Sequence, residues 1–123
     1  MNSEGTIKDY RDLLVWQKGI DLAKEIYSMT RAFPPEEKFG LSSQMRRAAV
    51  SISSNIAEGQ ARNTTGEFIQ FLGMAEGSLA EWDTQLRISS ELGFVSGDQD
   101  KATLVRIVEL QRMLRRLRAK LAT

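Results

Sequence analysis

Both prolines of the chain stand side by side, at Pro34 and Pro35. Proline removes a backbone donor and clashes with the preceding turn, so confining it to one point leaves two long tracts open to helix. Both tracts carry helical periodicity. Leu13, Trp16, Ile20, Ala23, Tyr27 and Thr30 recur at spacings of three and four. They predict a first helix over residues 9–32, with Asp12 as N-cap and Phe33 plus the proline pair as its stop. Leu41, Met45, Ala48, Ile52 and Asn55 keep the same spacing over residues 41–58, and Gly59 lies where a left-handed residue would close that helix.

Thr64 and Glu67 match the T-x-x-E capping box, whose side chains satisfy orphan backbone donors, and so mark the start of a third helix over residues 64–92. Its seam is the most regular in the chain. Phe68, Leu72, Ala75, Leu79, Trp82, Leu86 and Ser89 hold a heptad register, and Leu92, Gly93 and Phe94 have the form of a glycine C-cap with its hydrophobic contact. Ser96 and Gln99 offer a second capping box for a fourth helix over residues 97–121, striped by Thr103, Ile107, Leu110, Leu114, Leu117 and Leu121. Four helices joined by short connections predict an all-α, up-down-up-down four-helix bundle, a single domain over residues 1–123. No strand alternation, tandem repeat or low-complexity tract competes with it.

Composition narrows the chemistry. The 123 residues include no cysteine and no histidine, which removes disulfides, thiolate and imidazole metal ligands, and the commonest general base. Carboxylate or Ser/Lys chemistry is left, yet the serines show no S-x-x-K or G-x-S-x-G pattern. Without an E-x-x-H pair a ferritin-like di-metal core is not expected, and no glycine-rich phosphate loop follows a strand. The chain is therefore expected to be non-enzymatic, with no catalytic residue, metal or cofactor. The N-terminus MNSEGTIKDYRD is polar and no apolar run reaches membrane-spanning length, so a soluble, cytoplasmic protein with no membrane partner is expected. A net charge of +1 predicts no nucleic-acid partner by itself.

Several helices carry more apolar surface than one seam uses. Val15, Leu22 and Met29 repeat at intervals of seven beside the first seam, and Ile69 and Phe71 flank the third. Soluble monomers rarely expose contiguous apolar patches, so these extra stripes point to self-association, with a wide core-facing stripe as the alternative.

VWQKGIDLAKEIY at 15–27, FPPEEKFGLSSQMRRAAVSISSNIAEG at 33–59 and EFIQFLGMAEGSLAEWDTQL at 67–86 together resemble, in order, the 23S rRNA-intervening-sequence proteins, or S23 family. The GLSSQMRRAAVSISSNIAEG block is the most specific part. The resemblance implies an up-and-down four-helix bundle assembling as a homopentamer, a toroid with a central opening. It also implies a gene class named for insertions in ribosomal RNA genes. Proteins of that fold include accessory proteins of diversity-generating retroelements, which look like partners of nucleic acid and of reverse transcriptase. The chain departs from the family pattern at Ser53, where many members have proline, and at Gly19 and Gly73, mid-helix positions where larger residues are usual. Each glycine costs up to about 1 kcal/mol unless a neighbouring backbone packs close.

Within the second block, Ser51, Ser53, Ser54 and Asn55 either line a polar site or, more simply, permit close helix approach while Asn55 hydrogen-bonds inside the bundle and fixes its register. Arg47 and Glu58 share a helix face but stand roughly 16 Å apart along the axis, too far to pair. If buried, Arg46, Arg47 and Glu58 each need a partner on another helix or another subunit, because an unpaired buried charge is very costly. Glu58 reaches Arg62 only if the helix continues through Gly59. Contact between the arginines and RNA is the functional alternative.

Charge is divided between the last two helices. Residues 64–92 hold five acids (Glu67, Glu76, Glu81, Asp83 and Glu91) against Arg87, whereas residues 98–123 hold seven bases against three acids. Complementary packing is the simplest role, together with cations that favour the negative end of the helix dipole. The functional alternative is a ring of Arg112, Arg115, Arg116, Arg118 and Lys120 repeated around a pentamer, holding phosphate backbone without reading sequence. Aromatics are not interleaved with that cluster as a single-strand stacking platform requires. The function expected is an oligomeric scaffold or accessory protein that partners itself and RNA or a nucleic-acid enzyme; the rival is a protein–protein module that binds no nucleic acid.

Overall fold

The computed structural model describes residues 9–123. A single 3-10 turn at Tyr10–Asp12 leads into α1 (Leu14–Thr30), and a second at Pro35–Glu37 follows the proline pair. Helices α2 (Leu41–Gln60), α3 (Thr65–Glu91) and α4 (Gly97–Ala122) complete the order, with no strand among the described residues. No helix among them is long and apolar enough to cross a membrane.

Local chemistry sets most of the helix ends. Thr64 Oγ1 accepts from the Glu67 N–H at 3.1 Å, and Ser96 Oγ accepts from the Gln99 N–H at 3.2 Å, so the N-cap half of each expected capping box forms; the Glu67 carboxylate takes the Thr64 hydroxyl at 3.0 Å instead of closing the box. At the end of α3 the Phe94 N–H returns to the Ser89 carbonyl and the Gly93 N–H to that of Ser90, the Schellman pattern. Gly93 supplies the φ of +80° that this turn demands, and Phe94 packs on Phe33 with ring centroids 5.4 Å apart. The start of α1 differs from expectation. Asp9, not Asp12, is the capping acid: its carboxylate accepts from the Arg11 N–H at 2.7 Å and opens the 3-10 turn, and buried Leu13, in extended conformation, sits at the N-cap of α1 without a side-chain bond. The expected first helix over residues 9–32 is thus two elements, ended by Thr30.

Helix α2 is the centre of the packing, lying against α1 on one side and α3 on the other, while α3 carries α4 and α1 meets α4 more lightly. Cross-contacts between neighbours run antiparallel: Arg46 reaches Thr30 and Ser53 reaches Trp16 on α1, and Met45 meets Ser89 and Ser51 meets Ser78 on α3. The core includes Leu22, Ile26, Met45, Ile52, Ile56, Leu72, Leu79, Trp82, Leu86, Ile107, Leu110 and Leu114, each at most 2% exposed. The α3 seam matches its heptad reading apart from half-buried Phe68, and the α4 stripe is buried through Leu114, with Leu117 and Leu121 half-buried.

Helix α1 is rotated relative to the expected seam. Val15, Gly19, Leu22, Ile26 and Met29 face the core, whereas Trp16, Ile20 and Ala23 are half-buried and Tyr27 is exposed. Leu13 and Thr30 alone of the expected seam are buried. Gly19 is the reason: it lies on the same 4-3-4-3 stripe, and its missing side chain admits Ser53 of α2. The two departures from the family pattern at these positions therefore pack against each other, and the stripe expected to be surplus is the core.

Gly59 is also reassigned. The helix runs through it to Gln60, and Gly93 is the one glycine with positive φ among the described residues. Its role is contact: a Cβ here would lie 2.5 Å from Phe71 Cβ and 3.1 Å from a ring carbon of Phe68. Gly77, by contrast, has nothing within 4 Å of where a Cβ would stand. Gly59→Ala is expected to destabilise by about 1–3 kcal/mol through overpacking, while Gly77→Ala is expected to stabilise by about 0.5–1 kcal/mol through helix propensity. Thermal denaturation followed by circular dichroism checks both signs; equal shifts in one direction would contradict the close α2–α3 approach.

Candidate functional site

The twin arginines occupy different environments although they are adjacent in sequence. Arg46 is half-buried where α2 crosses the end of α1. Its Nε donates to Thr30 Oγ1 at 2.8 Å, and the Thr30 hydroxyl in turn donates to the Ile26 carbonyl at 2.8 Å. Its guanidinium lies 4.8 Å from the centroid of the Tyr27 ring, a cation–π distance. Arg46 is thus held by an uncharged hydroxyl and an aromatic face, with no ion pair among the described residues. Arg47 points outward, with Nη2 donating to Ser43 Oγ one turn earlier at 3.3 Å. Glu58 is also exposed and pairs with Arg62 at 2.9 Å, the i,i+4 contact allowed once α2 continues past Gly59. Neither Arg47 nor Glu58 is buried, so neither requires a partner from another chain on desolvation grounds.

Asn55 does not lock the bundle interior. It is half-buried, and its amide donates to the Ser51 carbonyl of its own helix at 2.9 Å. The small polar residues around it do allow close packing. Ser51 bonds to Ser78 of α3, and buried Ser53 donates to the Trp16 carbonyl of α1 at 3.3 Å.

On α4 the five bases separate into two groups. Arg118 donates to Glu76 of α3 at 2.6 Å and Arg115 approaches the same carboxylate at 3.7 Å; the Glu76 side chain is only 14% exposed. A single acid is therefore shared by two of the cations, Arg118 in close contact and Arg115 still largely exposed. Arg112 and Arg116 are exposed along a shallow groove with Leu104, Val105, Val108 and Glu109. Lys120 is exposed in the last turn, where a cation complements the helix C-terminus. The far side of α4 is tied to α1: Glu25 accepts from Arg106 and from the Thr103 hydroxyl, each at 3.3 Å, and Lys18 pairs with Glu109 at 3.1 Å. These pairs line a cleft of about 490 Å³ over Leu22.

Sequence reasoning did not single out Phe39 and placed Tyr27 in the core. Phe39 is 88% exposed, and the Lys38 ammonium lies 5.4 Å from its ring centroid. With Tyr27, Ser43, Arg46 and Arg47 these two residues form a groove that has, among the described residues, three cations and no carboxylate in its lining. The available signal was an aromatic residue in a proline- and glycine-bounded polar segment, outside every helical stripe. Among the described residues no group of three or more acids is placed to hold a metal ion.

A model of the family described as 23S rRNA-intervening sequence protein matches residues 11–116. The chain belongs to that family. Among solved structures, the chain is similar to a protein of unknown function from the S23 ribosomal protein family of Bacteroides thetaiotaomicron. That likeness has a TM-score of 0.79 at 20% sequence identity, covering 86% of this chain and 96% of the other. At that identity the likeness speaks for the fold alone. No curated protein matches the chain.

Charge on α4 is governed by Glu76, and its removal is measurable. Glu76→Ala leaves Arg115 and Arg118 without their shared partner and is expected to cost about 1–2 kcal/mol; Glu76→Gln, which keeps the volume, is expected to cost less. Urea unfolding checks this, and an unchanged midpoint for Glu76→Ala would show that the contact is no more than a surface pair.

Proposed function

We propose that this member of the 23S rRNA-intervening sequence family is a non-enzymatic, homo-oligomeric scaffold or accessory protein: an up-down-up-down bundle assembling as a pentameric toroid that holds RNA or a nucleic-acid-processing enzyme on basic surfaces. The observation that carries assembly is the face left open by the rotation of α1. Trp16, Ile20 and Ala23 border a groove continued by Val50, Ser54 and Ala57 of α2. A second apolar surface lies elsewhere on the bundle, at Leu104 and Val105, the latter 70% exposed. Two different patches favour head-to-tail association, which closes into a ring, over the self-complementary contact of a two-fold dimer. The antiparallel contacts between successive helices support the proposed topology.

The alternative is a protein–protein module with no nucleic-acid role. It is favoured by the commitment of Arg115 and Arg118 to Glu76, which leaves less of the α4 cluster for phosphate. Self-association belongs to both. Light scattering is expected to give a mass near five times the 13.8 kDa chain. Ile20→Glu, which places a charge in the open α1–α2 face, is expected to reduce that mass to a single chain with helical circular dichroism retained. A wild-type mass of one chain would overturn the assembly proposal.

A further inference from the structure

We propose that the corner formed by the end of α1, the Lys38–Phe39 turn and the first turns of α2 binds single-stranded nucleic acid. This rests on the nucleic-acid part of the proposed function and gives it a site away from the α4 cluster.

Two physical requirements meet there. Strands without secondary structure are held by cations that follow the phosphates and by flat side chains on which bases stack. The corner presents Lys38, Arg46 and Arg47 with no acid in the lining among the described residues. The nearby Glu37 carboxylate is already engaged, accepting from the Leu41 N–H at 3.1 Å. For stacking, the corner offers the Phe39 ring, almost wholly in solvent, and the planar guanidinium of Arg46, immobilised by Thr30 and by the face of Tyr27. A fixed guanidinium pays little ordering entropy on binding.

Two other surfaces lack this combination among the described residues. The α1–α4 cleft balances its charges internally through Lys18–Glu109 and Arg106–Glu25. The α4 groove pairs Arg112 and Arg116 with aliphatic side chains and Glu109, without an aromatic ring. A protein partner on the corner would have to desolvate three cations and provide acids for each, whereas a strand brings one negative charge per nucleotide.

Fluorescence anisotropy with a labelled oligouridylate of about a dozen nucleotides, at low salt, tests the site. Phe39→Ala is expected to weaken binding about tenfold. Arg47→Ala is expected to weaken it and to lower the salt slope by about 0.7, the value for one lost single-strand phosphate contact. Arg112→Ala with Arg116→Ala is expected to leave affinity unchanged, and a duplex of equal length should compete poorly. Both corner residues are exposed, so their variants are expected to keep the wild-type helical signal. Loss of binding in the α4 variant but not in the corner variants would overturn this site while keeping the nucleic-acid function. No binding by the wild type would remove that function itself. A Phe39→Ala protein with unchanged affinity but reduced mass in light scattering would reassign the corner to contact between copies of the chain.

Discussion

Close approach to α2 is the constraint from which the rest of the bundle follows. Gly19 admits Ser53 from one side and Gly59 admits Phe71 and Phe68 from the other. Helices with full side chains at those positions could not sit so near, and dispersion falls off within an ångström of contact. The approach at Gly19 also sets the rotation of α1. With Gly19 turned inward, Val15, Leu22, Ile26 and Met29 must enter the core, and Trp16, Ile20 and Tyr27 are carried to the rim. One small residue thus decides which apolar stripe enters the core and which stays half-buried at the rim.

The same rotation creates the basic corner. Tyr27 reaches the rim beside the first turns of α2, where its face receives the Arg46 guanidinium. At the other end of the charge distribution, Glu76 pulls Arg115 and Arg118 toward α3. Formal charge on α4 therefore exceeds what α4 can offer a partner.

What was legible in the sequence was what is decided locally. The Thr64 and Ser96 N-caps, the Gly93 turn and the α3 heptad from Leu72 onward depend on residues within one or two helical turns, and these appear as expected. The α1 seam was not legible because Gly19 reads as a gap in an apolar stripe, although a gap is what close backbone approach requires. Asp9 displaced Asp12 as the N-capping acid because a 3-10 turn precedes α1, with Asp12 closing that turn's capping box and buried Leu13 at the N-cap of α1. Burial of Arg47 and Glu58 could not be judged from helical spacing, which gives a face and not its neighbour. The corner around Phe39 combines a loop with two helices, and no periodic pattern joins those three segments.

The central claim is that the α1 face bearing half-buried Trp16 is accessible among the described residues of the single chain and is covered on the proposed assembly. The chain has two tryptophans, and Trp82 is fully buried, so it serves as an internal reference. Acrylamide quenching across a dilution series is therefore direct. The account predicts one quenchable and one protected tryptophan at high dilution, with the quenchable fraction disappearing as concentration rises. Two protected tryptophans at every concentration at which light scattering gives a single chain would contradict the rotation of α1, and a Trp16 that stays quenchable in the assembled protein would contradict burial of its face.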